Sequence, residues 1–596
     1  MTTAKLIHGP LEHFSSQGGK MNTTMGADLL VKCLIQENVR FVFGIPGGQL
    51  CPILDAIRRF GTDAGLQFIM TRHEQAAAHM ADAYARVTGE PGVCIGTVGP
   101  GAADLVPGVY AAWADSIPML VLTAQNQTWK SYPERGSMQS LDQVGLFEPI
   151  TKWRARVTHW QRVPELVQRA FRVAVSGRPA PVHLDLHVDV LVATGDESSL
   201  TFPPAAPERY RPERRPVAPP ELIEAAARTL VEAERPLIHP GGGALRSGAW
   251  DEVRELAEYL SAPVTTSQGA CGVLPEDHPL CLIAGGYGAL GAQAMADVVL
   301  LVGGRLGDVD FWGQPPFWGE PDRQKLIQID IAPENMALNR PVDLALVGDA
   351  QATLRALIQA VQRLTPPVPE RPSMAEYQET QAVWLAQFEE GATSEQKPIH
   401  PLRLLRDVRA FFPRNAICVV DGGNTNVWSH YVNRVYEPRS FLWTADSGHL
   451  GAGLPYAIGA KLARPERPVY AICGDGAFGL NIQELETAAR LKLPFVVVVA
   501  NDRQWGMIKA VQMAAYDARY IGVDFNDVRY DHVAQAMGCW GERVEEPEAI
   551  TPALERAVAS GKPAVLDVVV DAWANLTPPD LENLDAVWME GCELPW

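Results

Sequence analysis

No stretch of this 596-residue chain carries the ~20 consecutive apolar residues that a membrane-crossing helix needs, which excludes a helical membrane protein. The N-terminus lacks the apolar centre of a secretory signal, and residues 1–21 read as a polar N-terminal extension. The nine cysteines are scattered, with no Cys-x-x-Cys pair. That spacing leaves neither a zinc-binding set nor a disulfide framework and points to a reduced, cytoplasmic setting. Positive charge is in deficit: 51 Lys and Arg face 70 Asp and Glu, for a net charge of −19. Such a balance argues against nucleic acid or an anionic membrane as partner and leaves a small-molecule substrate. An anionic ligand in so acidic a chain needs local help from a metal ion or from backbone N–H groups.

What the chain does have is apolar content for large cores, 47% of residues, and a strand–helix alternation along most of its length. The length suggests three or four domains. Residues 22–190 alternate strand and helix patterns and end in the strand Pro181–Leu186. A proline-rich linker follows from Pro203 to Pro220, and a second from Pro366 to Pro372. They divide the chain into units over 22–190, 217–366 and 398–572, with a tail over 573–596. Alternating βα patterns predict an α/β fold of three doubly wound parallel sheets. The tail departs from that pattern and is rich in aromatic and apolar residues, among them Trp573, Leu576, Leu584, Val587, Trp588 and Trp596. A tail of that composition is expected to dock, and it is a candidate lid.

The most informative segment is Gly474-Asp475-Gly476-Ala477-Phe478-Gly479-Leu480-Asn481. The short apolar run 468–473 before it reads as a buried parallel strand. Asp475 therefore falls at a strand's carboxyl end, where open α/β sheets bind ligands. Ile482, Leu485, Ala488, Ala489 and Leu491 recur at helical spacing, and the run Pro494–Ala500 is the next buried strand, delivering Asn501-Asp502. Two neighbouring strand ends then present Asp475 and Asp502 to one spot. A few hard oxygen ligands completed by phosphate oxygens suit Mg²⁺.

A second motif lies near the N-terminus. Phe41–Gly48 is a strand entering a glycine turn, Thr71-Arg-His-Glu-Gln75 opens a helix, and Gly92–Gly101 is another strand and glycine turn. Together the two motifs resemble the thiamine-diphosphate enzymes of the acetolactate-synthase-like family. The resemblance covers nearly the whole chain, is dense over about 26–155 and 416–512, and is absent in the tail. It implies a pyrimidine-binding first domain with Glu74 as the catalytic glutamate, acting on the aminopyrimidine ring, and a diphosphate-binding third domain. It further implies Gly423, Asn424 and Thr425 as the diphosphate grip, with Gly448, Gly474, Gly476 and Ala477 around the cofactor. Leu450 matches the apolar wedge between the cofactor's rings. Asp475, Asp502 and the main-chain carbonyl of Gln504 match the metal ligands, although many relatives carry Asn where Asp502 stands. Gln139 matches a glutamine that reaches the reaction centre, and His449, beside the wedge, is a candidate proton shuttle. His73 and His79 read as structural. In this family the cofactor spans the first and third domains of different subunits, so a homodimer or homotetramer is expected.

The middle unit has Pro236-Leu-Ile-His-Pro-Gly-Gly-Gly243, Val298–Arg305 and Ile327–Ile331, a nucleotide-type pattern. The resemblance leaves FAD, the ADP moiety of an acyl-CoA, or nothing open for this domain. No basic cluster for ADP phosphates is visible in the sequence; Arg246 and Arg305 are the contributors at hand. Two departures bear on substrate. Val309 stands where acetolactate synthases have an Arg for a substrate carboxylate, and Val511 where they have a Trp. Loss of the cation weakens recognition of a carboxylate. Phe311, Trp312, Phe317 and Trp318 add an aromatic stretch. The favoured expectation is therefore a C–C lyase or carboligase of the 2-hydroxyacyl-CoA lyase kind, giving a carbonyl compound and formyl-CoA. A decarboxylating carboligase of the acetolactate-synthase type acting on pyruvate is the alternative, and a silent binding paralogue a remote one.

Overall fold

The computed structural model describes residues 23–131, 133–211 and 215–578. The expected extension 1–21 and the tail beyond Pro578 lie outside the described residues. Three parallel sheets with helices between their strands make up the fold.

The first sheet has six strands in the order Gln67–Met70, Phe41–Gly44, Gly92–Gly96, Met119–Gln125, Pro181–His187, Trp153–Val157. The third sheet runs Phe441–Leu442, Ile417–Asp421, Val469–Gly474, Val496–Asn501, Ala564–Val569, Trp540–Val544. Counted along each domain, both orders are 2-1-3-4-6-5. All their pairings are parallel. Helices cover both faces, so the central strands are buried on both sides rather than alternating: Val496–Asn501 is buried at every residue. The middle sheet is smaller, Leu344–Val347, Lys325–Asp330, Val298–Val302, Pro236–Pro240, and is also parallel. There the Gly241–Gly243 turn nests on the next strand's turn; a Cβ at Gly243 would stand 2.8 Å from the Gly303 Cα.

The helix Glu74–Thr88 starts where His73 Nδ1 accepts from the Gln75 N–H (3.2 Å) and stops at Gly89, whose φ of +82° suits a left-handed helix end. It packs against Gly453–Ala463 of the third domain. Alanines and glycines bring the two backbones close: a Cβ on Gly459 would meet the Met80 carbonyl oxygen at 2.5 Å. Asp82, fully buried, pairs with Arg86 (2.7 Å) and accepts from the Tyr456 hydroxyl across the contact. One hydrophobic core consequently runs through both domains, from Ala77 and Met80 to Tyr456, Ile458 and Val497. The middle domain has its own core around Leu256, Leu300 and Leu357. The helix Pro372–Ala386 joins the two systems, with Met374 and Tyr377 in a second core of the middle domain and Trp384 in the third domain's outer core.

Candidate active site

Strands Ile417–Asp421, Val469–Gly474 and Val496–Asn501 are neighbours, and their carboxyl ends converge. The turns after them bring Gly422–Thr425, Gly474–Ala477 and Asp502 to one cavity of about 1110 Å³. Gly448, Leu450, Gln504 and Asn575 also line it. Close approach of the backbone explains two glycines there: a Cβ on Gly423 would strike Met507 at 2.7 Å, and one on Gly476 would strike Trp505 at 2.6 Å.

Asp475 and Asp502 are 2% and 6% exposed. Asp475 Oδ1 accepts from Gly476 N and Oδ2 from Arg503 N, both at 2.8 Å. Burial, and then the facing Asp502 carboxylate, push Asp475 up from the ordinary Asp range, and burial raises Asp502. Two like charges held together out of water ask for a cation. With backbone N–H groups and short polar side chains alongside, the donor set fits a divalent metal carrying a diphosphate. Gln504 enters through its side chain: Nε2 donates to Asp502 Oδ2 (3.0 Å) and to the Ala572 carbonyl (2.9 Å).

The Leu450 loop is tied down from two sides. Asp421 Oδ2 accepts from Gly451 N (2.9 Å) and Gly453 N (2.7 Å), and Asn481 Nδ2 donates to the Gly451 carbonyl (2.7 Å). Burial pushes Asp421 up to about 7 even so. Sequence reasoning passed over Asp421 and gave Asn481, at the end of the Gly474 motif, no role. Asp421 closes a buried strand before a glycine turn, the signal that marks it, whereas Asn481 ends the short helix Asp475–Leu480.

Glu74 does not line this cavity. It lies buried at the carboxyl edge of the first sheet, with its Oε1 against Gly101, where a Cβ would stand 2.8 Å away. Desolvation raises its pKa, and Asp104 adds to the rise. Gln139 is exposed on a loop beside it, at φ +62°, with its carbonyl over Gly99. His449 does not line the cavity either: its ring sits 4.9 Å from that of buried His79, between the two domains. Burial lowers both histidines, and His449 Nδ1 has no hydrogen-bond partner among the described residues. That contact, rather than the cavity, is where the expected shuttle residue is found.

Another carboxylate stands behind Glu74. Glu484, on the helix after the Gly474 motif, is fully buried. Its Oε1 accepts from Arg72 N (2.9 Å) and His73 N (3.0 Å), and its Oε2 from Thr487 Oγ1 (2.7 Å). Burial pushes it up to about 7. The third domain thus caps the segment that carries Glu74.

On the middle domain's side, Val309, Asp308, Asp310 and Trp312 line the same cavity. The aromatic stretch divides. Trp312 stays 41% exposed, Phe311 stacks on Phe317 at 3.7 Å, and Trp318 is buried edge-on against His239. Val511 lies on the helix Gly506–Ala515 and is not among the lining residues. A second cavity of about 1070 Å³ opens beside the Gly243 and Gly303 turns, with Arg178, Arg215, Arg246, Arg305 and Arg439 in its wall. The sequence showed no basic cluster because these arginines come from three domains.

The three domains match family models described as the thiamine pyrophosphate enzyme N-terminal binding domain (residues 24–146), central domain (223–357) and C-terminal binding domain (421–568). A probable acetolactate synthase large subunit of Methanocaldococcus jannaschii is 36% identical over 570 residues, covering 92% of each chain. The acetolactate synthase isozyme 3 large subunit of Escherichia coli is 31% identical, over 96% of this chain and all of its own. The chain belongs to the acetolactate-synthase-like family of thiamine-diphosphate enzymes. The expectation of a 2-hydroxyacyl-CoA lyase finds no support in these relatives, whose names are those of acetolactate synthases. Among the described residues no helix is long and apolar enough to cross a membrane. The turns that meet at the cavity are Gly422–Thr425 and Gly474–Ala477. Around them, Asn575 is the residue that sequence reading missed most completely, because the resemblance stops short of the tail.

Proposed function

We propose that the chain is a decarboxylating carboligase of the acetolactate-synthase type, using thiamine diphosphate and Mg²⁺ and acting on pyruvate. The convergence of Gly422–Thr425, Asp475 and Asp502 on one cavity with Leu450 in its wall carries this reading. Relatives named acetolactate synthase over more than nine-tenths of the chain support the substrate. On this reading residues 22–190 bind the pyrimidine, 398–572 bind the diphosphate, and 217–366 form the middle domain.

Asp475, Asp502 and the Gln504 carbonyl would hold the metal; Gly423, Asn424 and Thr425 would hold the diphosphate. Thiamine diphosphate, when bound, supplies the electron sink for breaking and making a bond beside a carbonyl. Leu450, in the cavity wall, would give the bound cofactor its apolar support. Glu74 would hydrogen-bond a ring nitrogen of the aminopyrimidine through its carboxyl group. Burial suits it to this task, because desolvation raises its pKa and favours the protonated carboxyl that can donate to such a nitrogen. Since Glu74 does not line the cavity of its own chain, a second copy presents its Glu74 there, with Gln139 at the rim. The active unit is then at least a homodimer.

Val309 and Trp312 give the acceptor side an apolar patch beside Asp308 and Asp310, while Arg178 reaches the cavity from the first domain and Arg246 from the middle domain. The arginine-lined cleft suits the phosphates of an ADP-bearing group such as FAD; a flavin spectrum of the purified protein tests that. Incubating loaded protein with pyruvate, and separately with 2-hydroxyacyl-CoAs, and identifying products by mass spectrometry tests the main reading. Acetolactate from pyruvate is expected. Formyl-CoA from the thioesters, with nothing from pyruvate, would overturn it.

A further inference from the structure

Asp502 receives two amide donors on one oxygen. Gln504 Nε2 reaches Oδ2 at 3.0 Å and Asn575 Nδ2 reaches it at 2.7 Å. Among the described residues no side chain donates to Oδ1. The Asn575 carbonyl oxygen accepts from Asn424 Nδ2 at 2.7 Å. Asn575 is 4% exposed and Asn424 3%. One residue therefore touches a carboxylate of the metal set and a side chain of the diphosphate turn.

Asn575 arrives on the short helix Ala572–Leu576. Asp571 Oδ1 caps that helix, accepting from Trp573 N (2.8 Å) and Ala574 N (2.9 Å). Leu576, 1% exposed, anchors its end, and Gln504 also holds the Ala572 carbonyl. The arrangement gives a physical reason for an acid at 502. A carboxylate accepts at both oxygens, so Oδ2 takes the donors and Oδ1 is left for a cation. An Asn there has one acceptor and one NH₂, and would turn the NH₂ either on the two donors or on the metal.

We propose that Asn575 is a positioning residue of the cofactor site, which orients Asp502 for the metal and joins it to Asn424. This rests on the cofactor reading above. Docking of the C-terminal helix and loading of Mg²⁺ with thiamine diphosphate are then linked, and linkage is reciprocal: each strengthens the other.

The test titrates Mg²⁺ into full-length protein with thiamine diphosphate present, following heat released and the rise in melting temperature. Asn575→Ala weakens Mg²⁺ loading about tenfold, the usual worth of a hydrogen bond to a charged group. Asp502→Asn weakens it further. Combining Asp502→Asn with Asn575→Asp exchanges donor and acceptor and recovers most of the loss. Amide hydrogen exchange over 572–578 slows on loading in the wild type and much less in Asn575→Ala. Wild-type loading in Asn575→Ala, or a double variant as weak as Asp502→Asn alone, would overturn the proposal. Circular dichroism shows whether each variant is folded, and if Asn575→Ala is not, the exchanged pair decides. A wild-type chain that gains no heat stability from Mg²⁺ and thiamine diphosphate would overturn the cofactor reading as well.

Discussion

The sheet around Glu74 and the sheet around Asp475 share one strand order but expose different chemistry at the same edge. In the third domain, the turns after strands one, three and four meet, and two buried carboxylates face each other. In the first, the turns after strands one and three are glycine-rich, and one carboxylate, Glu74, comes from the turn after strand two. The turn after strand two of the third domain carries Leu450. The helices that follow these two turns, Glu74–Thr88 and Gly453–Ala463, are the ones that pack together. Equivalent positions thus hold an acid in one domain and an apolar side chain in the other. Topology decides where a functional residue emerges, and the turn sequence decides what it does.

The sharpest way to break this comparison is to remove the acid. Glu74→Ala should keep cofactor binding, read by melting temperature, yet slow hydrogen–deuterium exchange at the cofactor's C2 by about 10²–10⁴-fold, the usual range for a general acid–base group. Unchanged exchange would dissociate Glu74 from the chemistry. Next comes complementation. Glu74→Ala and Asp475→Ala chains are each expected to be inactive, but mixing them by refolding should return about a quarter of wild-type activity, because half the symmetric dimers then hold one intact site. No recovery would mean that both residues serve one site within one chain.

Smaller effects sharpen the contact between the domains. Glu484 is held up at about 7 by burial. A carboxyl raised in the folded state adds stability below its unfolded value, and that contribution is lost as pH rises towards 7. Cofactor-free protein should therefore lose up to about 3 kcal/mol between pH 4.5 and 7 through this one group. Urea midpoints for Glu484→Gln should fall less steeply over that window, and an identical slope would refute the account. Gly459→Ala forces a methyl towards the Met80 carbonyl and should cost about 1–3 kcal/mol, read as a lower melting temperature.

Much of this was legible in the chain. The apolar run Pro494–Ala500 announced a two-face-buried strand, and a helix-length spacing placed Asp475 and Asp502 on neighbouring strand ends. What stayed hidden depends on residues far apart in sequence. The cap from Glu484 to Arg72 and His73 spans 412 and 411 positions, and Asn575 reaches Asp502 across 73. The arginine cleft draws on three domains, so no local window contains it. His449 sits beside the wedge in sequence, yet its ring turns into the interdomain contact, because side-chain direction depends on the loop's backbone.

The core shared by the first and third domains has a consequence for how the molecule comes apart. Met80 and Tyr456 belong to one buried cluster, whereas Leu256 and Leu300 belong to another. Chain order counts three domains, but cooperativity should count two: calorimetry of the cofactor-free protein would resolve a middle unit and a single larger one made of both chain ends.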